Sequence, residues 1–295
     1  MRKDTSDIIA LSLVPGLGTK GILRLLDKAG SASSVFELTA GEVETTLGRR
    51  FKNIDKLQSI RSSDVFLSEI EYIEKEGIKV ITPSDKEYPK ALVNIYDLPP
   101  VLFCRGNLLQ EDEYAVAIIG SRKYTQYGLK MAEDLAFDLA SRGVTVVSGL
   151  ARGIDTAAHR GALKAGGRTI AVMGSGFKTV YPPENKNLFL EVVSTGAVLT
   201  EFASETKPER YNFPRRNRIV SGMVKGVIVV EAAMRSGALI TVDFALEHGK
   251  DVFVVPGQVG IASSEGSNRL IQTGAKLITT ASDVIEELGE PVALA

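Results

Sequence analysis

Hydrophobic residues follow two different patterns along the chain, and the change falls near residue 75. Before it, apolar residues recur every three or four positions in short segments, which predicts amphipathic helices. These segments are "DIIALSL", "GILRLLDKAG", "SSVFEL" and "AGEVETTL". After it, short apolar runs rich in β-branched residues alternate with longer amphipathic segments. We therefore predict a small all-α domain over residues 1–75, an α/β domain over residues 76–288 and a short tail over residues 289–295.

The predicted α/β domain contains a regular series of apolar runs. They are "KVITP", "VLFCRG", "YAVAIIG", "VTVVSG", "RTIAVMG", "AVLTEF", "GVIVVEA", "DVFVVPG" and "AKLIT". Nearly continuous apolar strands are typical of a parallel sheet that helices cover on both faces. The segments "YGLKMAEDLAFDLASRG" and "GALITVDFALEHGK" have the i, i+3, i+4 apolar spacing of crossover helices. The fold class predicted is α/β, with a Rossmann-like, doubly wound and mainly parallel sheet.

Composition narrows the function classes without naming one. The chain has 35 basic and 36 acidic residues and a net charge of −1, so any phosphate-binding surface must be local. Cys104 is the single cysteine, which excludes an internal disulfide and fits a reducing cytoplasm. The N-terminal apolar run is short and interrupted by proline and glycine, so we expect neither a signal peptide nor a membrane span. There is no cluster of cysteine and histidine with metal-ligand spacing, and we expect no metal site.

Four loops that follow predicted strands combine glycine with arginine, lysine or a hydroxyl group. In open α/β sheets, ligands bind beyond the carboxyl ends of the strands. Glycine lets the backbone approach a phosphate closely, and the N-terminus of the next helix favours an anion. The residues concerned are Gly120, Ser121 and Arg122; Gly149, Arg152 and Gly153; Gly174, Gly176, Lys178 and Asn185; and Arg235, Ser236, Gly237 and Thr241. No loop is a dinucleotide fingerprint or a Walker A motif, so we expect no nucleotide cofactor.

The segment "FPRRNRIVSG" concentrates positive charge in an otherwise neutral chain. It suits either a solvated helix face or an extension of the predicted phosphate-binding edge. On the second interpretation Phe213, Arg215, Arg216, Asn217 and Arg218 join the site, and we expect the side chains of Arg122, Arg215 and Arg216 to be exposed. Tyr181 and Phe213 would offer stacking faces for bases or pack in the protein interior.

Two further features have a functional and a structural interpretation. Asp155 and His159 are four residues apart and suit acid–base chemistry, but no serine or cysteine nucleophile in an elbow pattern accompanies them. We therefore predict no catalytic residues. The sequence "LVPGLGTKGILRLL" resembles a helix-hairpin-helix motif, in which backbone amides contact DNA phosphates without reading sequence. Many such hairpins serve only protein contacts, and both possibilities stay open here.

The ordered set of motifs resembles the DNA-processing protein A family, also called Smf. The matching segments include "GSRKYTQYG", "VSGLARGIDTAAHRGAL", "TIAVMGSGFKTVYPPEN", "FPRRNRIVSGM" and "GSNRLIQTGAKLI", from about residue 80 to 288. The resemblance implies a Rossmann-like core that binds single-stranded DNA and loads the RecA recombinase onto it during natural transformation. It assigns phosphate contacts to Gly120, Ser121, Arg122, Arg152, Lys178 and the "PRRNR" arginines. Many members continue into a winged-helix domain, which we expect this chain to lack.

The same resemblance implies a homodimer. The dimer contact and an overlapping RecA surface would lie on "SNRLIQTGAKLITTASDVIEEL", with Asn268, Ile271, Leu277 and Ile278 as the predicted contact residues. Two other functions stay open. One is a nucleotide-processing hydrolase of the lysine-decarboxylase-like type, which shares a glycine-rich loop at a strand end. The other is a purely structural, dimerising adaptor.

Overall fold

Residues 2–290 are described by a computed structural model of the chain. The helices are α1 (Lys3–Ser12), α2 (Gly18–Ala29), α3 (Ala32–Val35), α4 (Ala40–Leu47), α5 (Ile54–Ser59), α6 (Asp64–Lys75), α7 (Gln126–Ser141), α8 (Ile154–Lys164), α9 (Lys186–Thr195), α10 (Asn212–Gly222), α11 (Gly237–Glu247), α12 (Glu265–Gln272) and α13 (Ala281–Leu288). The strands are β1 (Lys79–Ile81), β2 (Leu102–Gly106), β3 (Ala115–Ile119), β4 (Thr145–Ser148), β5 (Thr169–Val172), β6 (Ala197–Thr200), β7 (Gly226–Val229), β8 (Asp251–Val254) and β9 (Lys276–Leu277).

All nine strands form one sheet in the order β1-β2-β6-β5-β4-β3-β7-β8-β9. The pairs from β6 to β9 are parallel, whereas β2 is antiparallel to both β1 and β6. Each apolar run identified in the sequence contains one of these strands, so the predicted α/β fold class is confirmed. Beyond the helical segments read from the sequence, α5 and α6 complete the N-terminal region.

The chain reverses its direction of travel across the sheet at β3. From β3 it proceeds outward through β4, β5 and β6, and it then returns to the other side of β3 to form β7, β8 and β9. This reversal makes the carboxyl ends of β3 and β7 a topological switch point, where the two crossover connections leave in opposite directions. The strands there are fully buried, as a sheet covered on both faces requires.

The N-terminal helices pack directly against the α/β part of the chain. Leu25 and Phe66 belong to the same hydrophobic cluster as Phe103 and Phe177. The buried carboxylate of Glu69 on α6 also accepts hydrogen bonds from the backbone N–H of Ser204, at 2.9 Å, and from its hydroxyl, at 2.5 Å. The predicted boundary at residue 75 stays a prediction, although α6 ends there. Of the predicted tail, residues 291–295 lie outside the described residues.

Candidate nucleic-acid interface

An open cleft of about 920 Å³ lies at the switch point. The loops after all strands from β3 to β8 contribute to it, together with one face of α10 and the start of α11. The cleft therefore occupies the position at which doubly wound sheets bind their ligands. We call it the switch-point cleft. Of the predicted site residues it contains Gly120, Ser121, Arg122, Gly149, Phe213, Arg216, Asn217, Arg235, Ser236, Gly237 and Thr241.

Unpaired positive charge dominates the switch-point cleft. Four exposed cations, Arg122, Lys123, Arg210 and Arg235, line it. Among residues 2–290, none of the four lies within 4.0 Å of a carboxylate. The acidic residue that the described lining includes is Asp155, which is buried. Such a surface attracts anions, and arginine forks match the oxygens of a phosphate.

The floor of the cleft is a buried guanidinium group. Arg216, only 4% exposed, donates to the carbonyl oxygens of Gly149, at 2.5 Å, and of Val172. Burial lowers the pKa of Arg216 to about 10, and the nearby Asp155 carboxylate opposes that shift. The side chain is therefore still protonated at neutral pH. The expectation that Arg216 would be exposed is wrong, because the carbonyl groups at the ends of β4 and β5 hold its guanidinium.

Gly149 and Asp155 complete the floor. A Cβ atom at Gly149 would overlap the Arg216 guanidinium, so the lack of a side chain there is what admits this group. The Asp155 carboxylate accepts from the backbone N–H groups of Gly149, at 3.1 Å, and Ala151, at 3.3 Å. Burial raises the pKa of Asp155, and the Arg216 charge opposes the shift. These hydrogen bonds from Gly149 and Ala151 to Asp155 hold the loop after β4 in place.

The loop after β3 is preorganised by hydrogen bonds. The Ser121 hydroxyl donates to the carbonyl oxygen of Lys123, at 2.6 Å, and accepts from its N–H, at 3.0 Å. Thr125, which caps α7, donates through its N–H and its hydroxyl to the buried carboxylate of Glu231, at 2.9 and 2.6 Å. Because both ends of the loop are held, Arg122 and Lys123 are presented at a fixed place on the cleft rim. Ser121 shapes this loop with its hydroxyl.

An aromatic pair borders the cleft at the β5 side. The rings of Tyr181 and Phe213 have centroids 5.8 Å apart, and the Arg122 guanidinium lies 4.9 Å from the Phe213 centroid. A Cβ atom at Gly174 would come within 2.8 Å of the Phe213 ring. Gly174 does not line the cleft, and its role is to make room for this ring. Phe213 is partly exposed.

Helical periodicity divides the residues of "FPRRNRIVSG" between two environments. Phe213, Arg216, Asn217 and Val220 have i, i+3, i+4, i+7 spacing and face the switch-point cleft. Arg215 and Arg218 lie on a different face of α10 and do not line it. The predicted set was therefore too broad, although the helical period in the sequence would have separated the two groups.

Arg218 is a structural residue, and its predicted role in DNA binding is wrong. Its guanidinium binds the Glu201 carboxylate in a bidentate pair, at 3.0 and 2.7 Å, and donates to Asp97 at 3.2 Å. The side chains of Arg218 and Glu201 are each 4% exposed. Arg215, in contrast, is exposed. Its guanidinium lies 3.8 Å from the Glu201 carboxylate and 5.3 Å from the Phe202 ring centroid. It lines a second, smaller cleft against the N-terminal helices.

The remaining predicted residues lie outside the switch-point cleft. Arg152 pairs with Glu184, and Lys178 pairs with Glu205 at 2.6 Å. Asn185 is buried and donates to the carbonyl oxygen of Leu150 and to the Thr156 hydroxyl, both at 2.9 Å, so its prediction as a DNA contact is wrong. It supports Leu150, which has a positive φ of 56°.

Two of the predicted glycines make close backbone contacts instead of lining the cleft. A Cβ atom at Gly153 would lie 2.5 Å from the Ser121 carbonyl oxygen, and one at Gly176 would overlap the carbonyl oxygens of Ala203 and Ser204. These glycines let neighbouring loops pack against each other, which is why they follow strands without facing a ligand.

Sequence reasoning missed several residues that line the cleft. Lys123 follows the Gly-Ser-Arg motif directly, and its position in the chain was enough to include it. Arg210 lies three residues before Phe213, in the segment that leads into α10. Ala262 and Ser263 come from the loop after β8, which carries no charge and gave no signal.

The predicted dimer surface is only partly exposed. Ile278 is fully buried in the cluster that includes Phe253 and Val284, so its prediction as a contact residue is wrong. The Asn268 amide accepts from the N–H of Gly257 and donates to its carbonyl oxygen, both at 3.0 Å. Leu277 is 47% exposed on the edge strand β9, and Ile271 is partly buried.

The fold and the cleft define a doubly wound α/β protein with a basic cleft at its switch point. The family model described as "DNA recombination-mediator protein A" matches residues 79–289. The chain belongs to this family, which confirms the resemblance found in the sequence. Among the described residues, no helix combines the length and the apolar character needed to cross a membrane.

Individual relatives agree with this assignment. The chain is 40% identical to the DNA processing protein DprA of Streptococcus pneumoniae over 272 residues, which cover 92% of this chain and 94% of that protein. It is 45% identical to the protein Smf of Escherichia coli over 210 residues, which cover 70% of this chain but only 56% of that protein.

Two solved structures are similar to the whole chain or to most of it. The DprA structure from Streptococcus pneumoniae covers 97% of this chain, and 99% of that chain is matched, with a TM-score of 0.83 and 37% identity. The second structure is of the DNA processing protein A from Helicobacter pylori, and its description concerns a single-stranded DNA binding mode. The match covers 72% of this chain and 95% of that chain, with a TM-score of 0.65 and 30% identity.

Arg218→Ala should lower the free energy of unfolding by about 3–5 kcal/mol, because it leaves the Glu201 carboxylate buried without its partner. Arg122→Ala should lower it by about 1 kcal/mol or less, because Arg122 is exposed and loses only its contact with Phe213. Urea unfolding of the two variants measures the difference. Equal stability of the two variants would contradict the structural role of Arg218.

Proposed function

We propose that the chain binds single-stranded DNA without sequence preference through the switch-point cleft, and that it loads the RecA recombinase onto that DNA during natural transformation and homologous recombination. The observation that carries the proposal is the concentration of four exposed, unpaired cations and a buried guanidinium around one open cleft. The single-stranded DNA binding mode described for the Helicobacter pylori relative supports it.

The chemistry of the cleft favours a phosphate backbone over base sequence. Arg122, Lys123, Arg210 and Arg235 suit phosphate oxygens, and such contacts position a strand without reading its sequence. Tyr181 and Phe213 offer ring faces, on which any base can stack. The cleft is concave and lies among loops, so a flexible single strand fits it better than a rigid duplex.

The enzymatic alternative has little support in the cleft. This alternative has two candidate groups for acid–base chemistry, Asp155 and His159. The Asp155 carboxylate accepts hydrogen bonds from backbone N–H groups of the loop after β4. His159 is fully buried, its Nδ1 lies 2.7 Å from the Thr169 hydroxyl, and burial lowers its pKa to about 3. Neither group is placed to attack or protonate a nucleotide, so we expect binding without turnover.

The edge strand β9 supports the proposal of a homodimer. This strand lies at one edge of the sheet and is only two residues long. It exposes Leu277, which a second copy of the chain would cover. The family resemblance adds a RecA surface that overlaps this edge. A dimer would present two switch-point clefts on one particle, and it would gain avidity for a strand that spans both.

Arg122→Ala and Arg210→Ala should each weaken binding of oligothymidylate by roughly 10- to 150-fold, the value of a lost charge-assisted phosphate contact. Each should also make the slope of log affinity against log salt shallower by about 0.7, the contribution of one phosphate on a single strand. Fluorescence anisotropy over a salt series measures both quantities.

Arg160→Ala is the matched control, since it removes an exposed arginine from α8 that does not line the cleft. It should bind as the wild type does. If the wild type bound duplex as tightly as single strands, the preference for single strands would be contradicted. If all three variants lost affinity equally, the cleft would not be the binding site. Turnover of nucleotides would favour the hydrolase instead, and failure to bind any oligonucleotide would favour the adaptor.

Leu277→Asp should convert the dimer into a folded monomer, because a carboxylate would have to be buried in the new interface. The monomer should bind a short oligothymidylate with unchanged intrinsic affinity and should nucleate RecA filaments poorly. Sedimentation and a RecA filament assay measure the two effects. A monomeric wild type at micromolar concentration would contradict the dimer, and unchanged RecA nucleation by the variant would contradict the partner surface.

A further inference from the structure

The loop after β8, residues 256–263, carries exposed apolar side chains beside the switch-point cleft. Val259 is 90% exposed and Ile261 is 40% exposed. The next two residues of the loop, Ala262 and Ser263, line the cleft, as does Ile240 on α11, which is 36% exposed. Single exposed apolar residues are common on protein surfaces, but a group at the margin of a ligand cleft indicates a contact surface. We call this loop the β8 loop.

The β8 loop is anchored at its base and closed at its tip. Asn268 makes two hydrogen bonds to the backbone of Gly257, both at 3.0 Å. The N–H of Ser264 donates to the carbonyl oxygen of Ile261 at 2.9 Å, and Gly260 supplies a positive φ of 83° at the turn. The exposed apolar residues therefore lie in a constrained loop, and their exposure is a defined feature of the surface.

Strand order sets the β8 loop apart from the aromatic pair at the other end of the cleft. In the order β5-β4-β3-β7-β8, four intervals of ~4.8 Å place β5 and β8 about 19 Å apart. The loops of β3 and β7, which carry Arg122, Lys123 and Arg235, lie between them. A single strand of DNA held by those cations has its phosphates near the middle of the cleft.

The β8 loop has no charged residue and so offers nothing to a phosphate. The apolar parts of a nucleic acid strand are the faces of its bases, which pack against apolar side chains whatever the base. Continuity with the cleft and the cations beside it thus identify one occupant for this surface, namely bases of the strand that the cations hold.

We propose that Ile240, which lines the cleft, and Val259 and Ile261, which precede the lining residues Ala262 and Ser263 in the β8 loop, form a base-contacting wall at the margin of the cleft. The inference rests on the proposed function and adds a contribution to affinity that does not depend on phosphate contacts. It assigns the phosphates to the loops of β3 and β7 and the bases to the β8 loop at one end and to Tyr181 and Phe213 at the other.

The test compares two probes of equal length, an oligothymidylate and an abasic oligonucleotide, which keeps the phosphates but has no bases. The double variant Val259→Ser, Ile261→Ser should bind oligothymidylate about 5- to 10-fold more weakly than the wild type, the effect of losing a modest apolar contact. Its salt slope should be unchanged, because no phosphate contact is removed. Its preference for oligothymidylate over the abasic probe should shrink by the same factor.

Leu190→Ser is the matched control, because Leu190 is 53% exposed on α9 and does not line the cleft. Val259→Ser alone, at a position 90% exposed, repeats the test with no loss of core packing. Leu190→Ser should keep the full preference of the wild type for bases. If the wild type binds oligothymidylate and the double variant and Val259→Ser also keep that preference, the base-contacting wall is overturned and the proposed function stands. If the wild type binds neither probe, both are overturned.

Discussion

The buried guanidinium of Arg216 is the interaction on which the switch-point cleft depends. It joins α10 to the ends of β4 and β5 through the carbonyl oxygens of Gly149 and Val172, and it lies above the sheet where Gly149 has no side chain. Removing a charge from water is costly unless hydrogen bonds and a counter-charge compensate for it. Here the two carbonyl groups compensate in part and Asp155 adds an opposite charge, so helix, sheet and the β4 loop are fixed relative to one another.

The cleft is basic in a neutral protein because four exposed cations line it, whereas the acidic residue of its described lining, Asp155, is buried. Outside it, Arg218, Arg152 and Lys178 are neutralised by Glu201, Glu184 and Glu205. Inside it, the four exposed cations have no carboxylate within salt-bridge distance among the described residues. The field of the cleft is therefore a local property, and the net charge of −1 carries no information about it.

Much of the fold and about half of the site follow from the sequence. The apolar runs located every described strand, and the rule that ligands bind at strand ends selected Gly120, Arg122, Gly149 and Arg235, all of which line the cleft. The period of α10 would also have separated Arg216 from Arg218, had it been applied.

Other features required the tertiary structure. The partner of Arg218 is Glu201, which is 17 residues away, and the burial of Ile278 depends on how α13 packs against α7. The β8 loop belongs to the cleft only because β8 lies beside β7, and no local pattern of residues records that neighbourhood. Pairing between distant residues is decided by packing, which is why charge and glycine content alone selected residues that do not line the cleft.

A crystal structure of the protein with a bound oligothymidylate tests the central claim most directly. The account predicts a strand that crosses the carboxyl ends of β3 and β7, with phosphate oxygens within hydrogen-bonding distance of Arg122 and Arg210 and with the Arg216 guanidinium still bound to the Gly149 carbonyl group. A strand bound in the smaller cleft against the N-terminal helices, with the switch-point cleft empty, would contradict it.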